Sequence, residues 1–294
     1  MSVEVWGMIG AGIAALVAGL VLAAGRFRAA SGAGRILVLG PVFEAVALTV
    51  FAAEHFLAAR DLMAIVPRWM PGPLFWTYFV GAAWLAAAIS FIAWRQVRWS
   101  AALVALLFLI IVATIDLPNL PRGAHQRLFW TLTMRESAFA GGAMALAGSV
   151  WASSVWAAGR KSFATVLMVV GRLVVAATLV FYAVEHFLFP GFVPGVPLEK
   201  RMPAWVPAPT VLAYLVGITL LLAGIGLLFR RTIRISAAGA GMVLLLLTAF
   251  FYVPILAMEI HSPLALEGIN YVGDTLLFAA TALLAGWGAD QSAA

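Results

Sequence analysis

Glu54-His55-Phe56, a short polar stretch, Pro67-Arg68-Trp69-Met70-Pro71-Gly72-Pro73, Tyr78 and Gly81 decide how this chain is read. The same residue types return in the same order as Glu185-His186-Phe187, a longer polar stretch, Pro203-Ala204-Trp205-Val206-Pro207-Ala208-Pro209, Tyr214 and Gly217. The Glu-His pairs lie 131 positions apart, and the tryptophans, prolines, tyrosines and glycines 136 apart, so the second connecting stretch is five residues longer. An ordered recurrence of this kind points to a duplicated unit.

Hydrophobic residues make up 64% of the 294 and charged residues 10%, with a mean hydropathy of +1.06. A soluble domain of that size needs far more charge on its surface, so the chain is expected to be integral to a membrane, with the lipid bilayer as its partner. The net charge of +6 is not a nucleic-acid signal, because the arginines sit in short loops between apolar runs. The absence of cysteine excludes disulfides, thiolate metal sites and iron–sulfur clusters on this chain. The first apolar run lacks a basic lead-in and a cleavage site and reads as a retained helix.

A spanning helix needs about 20 mainly apolar residues, and the alternation of a barrel is missing. The reading is all-α and polytopic, with about nine transmembrane helices near 5–24, 36–57, 73–94, 100–116, 128–151, 163–186, 208–229, 236–256 and 269–288. Residues 1–30 hold a leading helix. Residues 31–157 and 158–294 are two four-helix repeats in parallel orientation, joined near Ala157–Ser162 with Arg160 and Lys161. Ten basic residues fall in one set of alternate loops (Arg26, Arg28, Arg35, Arg95, Arg98, Arg160, Lys161, Arg230, Arg231 and Arg234) and six in the other (Arg60, Arg68, Arg122, Arg127, Lys200 and Arg201). The chain is therefore expected to be multi-pass in the cytoplasmic (inner) membrane, N-terminus outside and C-terminus cytoplasmic. Trp69, Trp130 and Trp205 fall at the outer edge of this layout, and Trp94, Trp99, Trp151, Trp156 and Trp287 at the inner edge.

Proline lacks an amide donor and pushes its predecessor towards extended backbone, so Pro67, Pro71, Pro203 and Pro207 mark non-helical straps carrying Trp69 and Trp205. The straps either anchor the interface or roof a cavity. Glu54, His55, Glu185 and His186 close helices at the outer edge. They read as helix-end polar groups, as a proton-accepting or headgroup-binding set, or, for the histidines, as haem ligands, which is the least favoured reading. Glu136 and Asp274 occupy matching places in the last helix of each repeat, at a depth where an acid is costly and invites a functional reading. Glu44 and Arg172 lie at similar depth in the first helix of each repeat and read as a structural ion pair. Asp116, Asn119, His125, Glu259, His261 and Glu267 read as solvated loop residues, with no metal pattern. No phosphate loop, nucleophile elbow or dinucleotide fingerprint occurs, so no catalytic group is assigned.

The stretch from Glu54-His55-Phe56 through Trp69 and Pro71 to Phe75-Trp76-Thr77-Tyr78 resembles the DoxX family of membrane proteins. So do Val184-Glu185-His186-Phe187 through Trp205 and Pro207, and the acid at Glu136 followed by small residues to Gly142. The resemblance implies a four-helix unit with a loop between its first two helices, and an association with quinone-linked redox assemblies. It does not cover the leading helix, and the tandem arrangement and lack of cysteine depart from simple members. The expectation is an accessory protein or subunit of a quinone-linked membrane redox system, with membrane oxidoreductase subunits as partners. Its outward cavity would be lined by Glu54, His55, Glu185, His186, Glu136 and Asp274. The alternatives are a transporter or small-ligand-binding protein using that cavity, and a structural subunit of a larger membrane complex.

Overall fold

The computed structural model describes residues 3–153, 161–196 and 198–288. Trp156, Ala157 and Arg160 at the expected join, the side chain of Lys161, and Pro197 lie outside the described residues. The protein is an all-helical polytopic membrane protein. Its long helices are α1 (Val3–Ala29), α2 (Gly40–Leu57), α3 (Pro73–Ala93), α4 (Val97–Ile111), α5 (Arg127–Ala152), α6 (Lys161–Leu188), α7 (Pro209–Gly226), α8 (Ile233–Leu247) and α9 (Ala265–Ala285). Among the described residues the one non-helical pairing is an isolated bridge between Phe192 and Arg201.

Among the described residues, eight helical stretches are long and apolar enough to cross a bilayer. The ninth expected span is α5, whose first half carries Arg127, Arg135 and Glu136. At about 1.5 Å per residue its 26 residues still exceed a bilayer's hydrocarbon thickness of roughly 30 Å. Its second half is rich in small residues, and every residue from Ala138 to Ser149 except Met144 is buried, which lets neighbours come close. A side chain at Gly141 would sit 2.7 Å from the Gly171 carbonyl oxygen of α6, and one at Gly142 would sit 2.9 Å from Thr281 Cα of α9.

The last helix of each half packs on the other half. α5 lies against α6 and α9, and α9 lies against α2 and α5. Within the halves, α2 packs on α3 and α4 on α5, as α6 packs on α7 and α8 on α9. Trp94 and Trp287 meet at 5.3 Å, and Trp99 and Trp151 at 4.9 Å, so the tryptophans expected at one edge cluster in pairs.

α4 and α8 run on further than their apolar patterns indicate. Each passes through a π-helical turn, Val112–Asp116 and Thr248–Tyr252, into short helices at Leu117–Asn119 and Val253–Glu259. Pro118 and Pro254 supply the reason. A proline ring clashes with the carbonyl one turn back and removes an amide donor, and the wider turn accommodates it. The straps end as expected, with Pro73 and Pro209 opening α3 and α7. Gly72 precedes the first in left-handed backbone at φ 68°, and Ala208 takes the same conformation at φ 48°.

Candidate functional site

The two Glu-His pairs lie at one end of the bundle and are tied together through α5 and α9. Glu54 Oε1 accepts from Asn270 Nδ2 of α9 at 3.0 Å. Glu185 accepts from the Thr131 hydroxyl of α5 at 2.9 Å and pairs with Arg127 at 3.7 Å. Between them Arg135 of α5 binds Glu136 at 2.7 Å and also Asp274 of α9. Each glutamate thus reaches the last helix of the other half. Neither the Asn270 nor the Arg135 link follows from sequence order. The polar spacing of Glu267, Asn270 and Asp274 along one face of α9 is the signal that marks them.

A cavity of about 790 Å³ opens in the first half, between α2, α3, α4, α5 and α9. Its polar groups include Glu54, His55, Asp116, Arg135, Glu136, Glu267, Asn270, Tyr271 and Asp274. Phe51, Trp76, Trp84, Phe108 and Phe139 are among the aromatic residues of its lining, and the strap contributes Val66, Pro67 and Met70. Phe79 of α3 and Ile110 of α4 also line it, although they are 51% and 47% exposed on the bundle's surface. The cavity therefore reaches the side of the bundle between α3 and α4, at residues within their candidate membrane spans.

Glu185 and His186 are not on this wall, which corrects the expectation of a shared chamber. The segment after α6 fills their side. Val193 and Val196 are buried in it, and the Tyr252 hydroxyl donates to the Pro194 carbonyl at 2.5 Å. The Gly195 amide donates to His186 Nε2 at 2.9 Å. Lys200 clasps this segment to the bundle through Glu259 at 2.7 Å and Glu267 at 3.0 Å. Burial pulls the Lys200 ammonium down, but the bonds from Glu259 and Glu267 outweigh it and hold it above the ordinary lysine value. What remains between α7 and α8 is an apolar groove of about 500 Å³ edged by Trp205 and Pro207. Trp69 is 70% exposed, and the indole of Trp76 donates to the Pro71 carbonyl at 3.0 Å.

The Glu44–Arg172 ion pair does not form. Glu44 is 0% exposed and both its carboxyl oxygens lack a hydrogen-bond partner. Arg172 is half-buried on α6. Equal depth did not bring them together, because the helices turn those residues to different neighbours. Asp116, expected in a solvated loop, is half-buried on the cavity wall, carried there by the π-turn. His125 and His261 are exposed, as expected of loop residues. Adjacent helix positions point about 100° apart, yet Glu54 and His55 both reach so wide a cavity.

Residues 44–126 match a family described as a domain of unknown function (DUF8561). The match covers less than a third of the chain. It begins at Glu44 and takes in α3, α4, the strap and Asp116, but stops before Arg135 and Glu136. No curated protein and no solved structure matches the chain.

Chemically, the site joins a long apolar wall to a compact polar end. Five carboxyl groups line it: Glu267 is held by Lys200, while Glu54, Asp116, Glu136 and Asp274 share one guanidinium, that of Arg135. One guanidinium and the Asn270 amide do not satisfy four shielded carboxyl groups, so protons or the donors of a bound molecule meet the remainder.

Proposed function

We propose that the protein binds a lipid-soluble small molecule of the quinone class and serves as an accessory or subunit of a quinone-linked membrane redox system. One observation carries this reading. The cavity reaches lipid at Phe79 and Ile110 and ends at the Arg135 cluster, so an apolar tail and a polar head each find a matching wall. Its volume of about 790 Å³ lies within the roughly 300–1,000 Å³ of small-molecule sites. Carboxyl groups around Arg135 are placed to exchange protons with a head group. The DoxX-like straps support the same reading, and an oxidoreductase partner would supply electrons.

The test uses purified protein in detergent. Decylquinone and decylhydroquinone are titrated while quenching of tryptophan fluorescence is followed, since Trp76 and Trp84 line the cavity. Saturable binding of either, lost in Ile111→Trp, is expected. Absence of binding by both, or binding unaffected by the filled cavity, overturns the proposal.

A further inference from the structure

The two halves provide an internal comparison for His55. In the second half, His186 Nδ1 lies 2.6 Å from the Tyr182 carbonyl oxygen, which only accepts, so Nδ1 carries the proton. The Gly195 amide donates to Nε2 at 2.9 Å, so Nε2 presents a lone pair. The imidazole is therefore neutral and doubly bonded. In the first half, His55 Nδ1 lies 2.7 Å from the Phe51 carbonyl oxygen, 131 positions before Tyr182. Its ring is seated in the same way. A side chain at Gly81 would come 2.7 Å from His55 Cβ, and one at Gly217 would come 3.0 Å from His186 Cβ.

The halves differ at Nε2. Gly195 belongs to the connecting stretch that is five residues longer in the second half, and it takes φ +95°, which favours glycine. That stretch rests on Leu244, Leu247 and Tyr252: a side chain at Gly195 would lie 3.4 and 3.3 Å from the two leucines, and Pro194 binds Tyr252. The residues 136 positions earlier are Phe108, Ile111 and Asp116, and all three line the first half's cavity. The cavity thus occupies the place that the longer stretch fills in the other half.

We infer that His55 Nε2 is the acceptor for a hydroxyl or N–H group of the bound molecule, in the position the Gly195 amide holds against His186. Resting on the quinone-class reading above, this assigns the site to the hydroxyl-bearing, reduced form. A hydroquinone O–H donates to Nε2, whereas a quinone carbonyl turns one lone pair against another.

The experiment compares decylhydroquinone, its dimethyl ether and decylquinone under anaerobic conditions, with wild type, His55→Leu and His55→Gln. The hydroquinone is expected to bind about tenfold tighter than the ether, the scale of one hydrogen bond. That preference disappears in His55→Leu and is retained in His55→Gln, which keeps an acceptor. A second measurement stands even if a variant fails to fold. In wild type labelled with ¹⁵N-histidine, where the chain has four histidines, the His55 Nε2 resonance shifts with hydroquinone and not with the ether. Equal binding of all three probes, or an unmoved Nε2 resonance, overturns the assignment and leaves the cavity reading intact. Failure of every probe to bind removes both.

Discussion

Arg135 of α5 pairs with Asp274 of α9, and this bond joins the two halves at the polar end of the cavity. Both side chains are largely shielded, and Arg135 holds Glu136 as well. Removing one member of a buried pair leaves an uncompensated charge at a cost of about 3–5 kcal/mol. Arg135→Leu is therefore expected to lose that much stability in a dodecyl sulfate unfolding titration. Arg135→Leu combined with Asp274→Leu is expected to recover the part due to that pair, Glu136 remaining without its cation. A double variant no more stable than the single one argues against the pairing.

Glu44 is buried without a partner on either oxygen. An unsatisfied buried polar group costs about 1–3 kcal/mol, so Glu44→Met, of similar length and apolar, is expected to raise stability by about that amount. A rise accompanied by lost ligand binding would mark Glu44 as an acid kept for function at the expense of stability. A fall in stability would show that the carboxyl group is satisfied in the protein.

Gly195 adopts a backbone that L side chains resist, and its missing side chain faces Leu247. Gly195→Ala is expected to cost about 1–2 kcal/mol through the left-handed backbone. It also displaces the amide from His186, and the signal to follow is the His186 Nε2 resonance. A variant as stable as wild type with that resonance unmoved contradicts the geometry.

Lys200 fastens the segment after α6 through Glu259 and Glu267. Its ammonium is held above the ordinary value of 10.5, so the clasp is complete below that pH and is released only as pH rises through the higher folded value. Wild type is expected to resist tryptic cleavage after Arg201 at pH 8, and Lys200→Met to be cut there. Equal resistance of the two would show that burial of Val193 and Val196 holds the segment without the ion pairs.

Much of the architecture was legible because lipid imposes a coarse rule. Backbone polar groups must be satisfied within a segment, so long apolar runs become helices; about nine were expected from those runs, and among the described residues eight helical stretches are long and apolar enough to span. α5 escapes that criterion because its first half carries the charges of the site. The prolines opening α3 and α7 are a local property of the residue, so their role needed no tertiary information. The π-turns were hidden, although Pro118 and Pro254 were the local marks of them.

The sequence by itself determined that charged and aromatic motifs recur, and that acids stand at Glu54, Glu136 and Asp274 within apolar helices. Tertiary structure alone decided that these three share a cavity with His55 and Asp116, while Glu185 and His186 are spent on Thr131, Arg127 and Gly195. Helical periodicity fixes which face a residue occupies but not which helix meets that face. The five extra residues of the second stretch become a plug only once α8 and α9 place Leu244, Tyr252 and Glu267 beneath it.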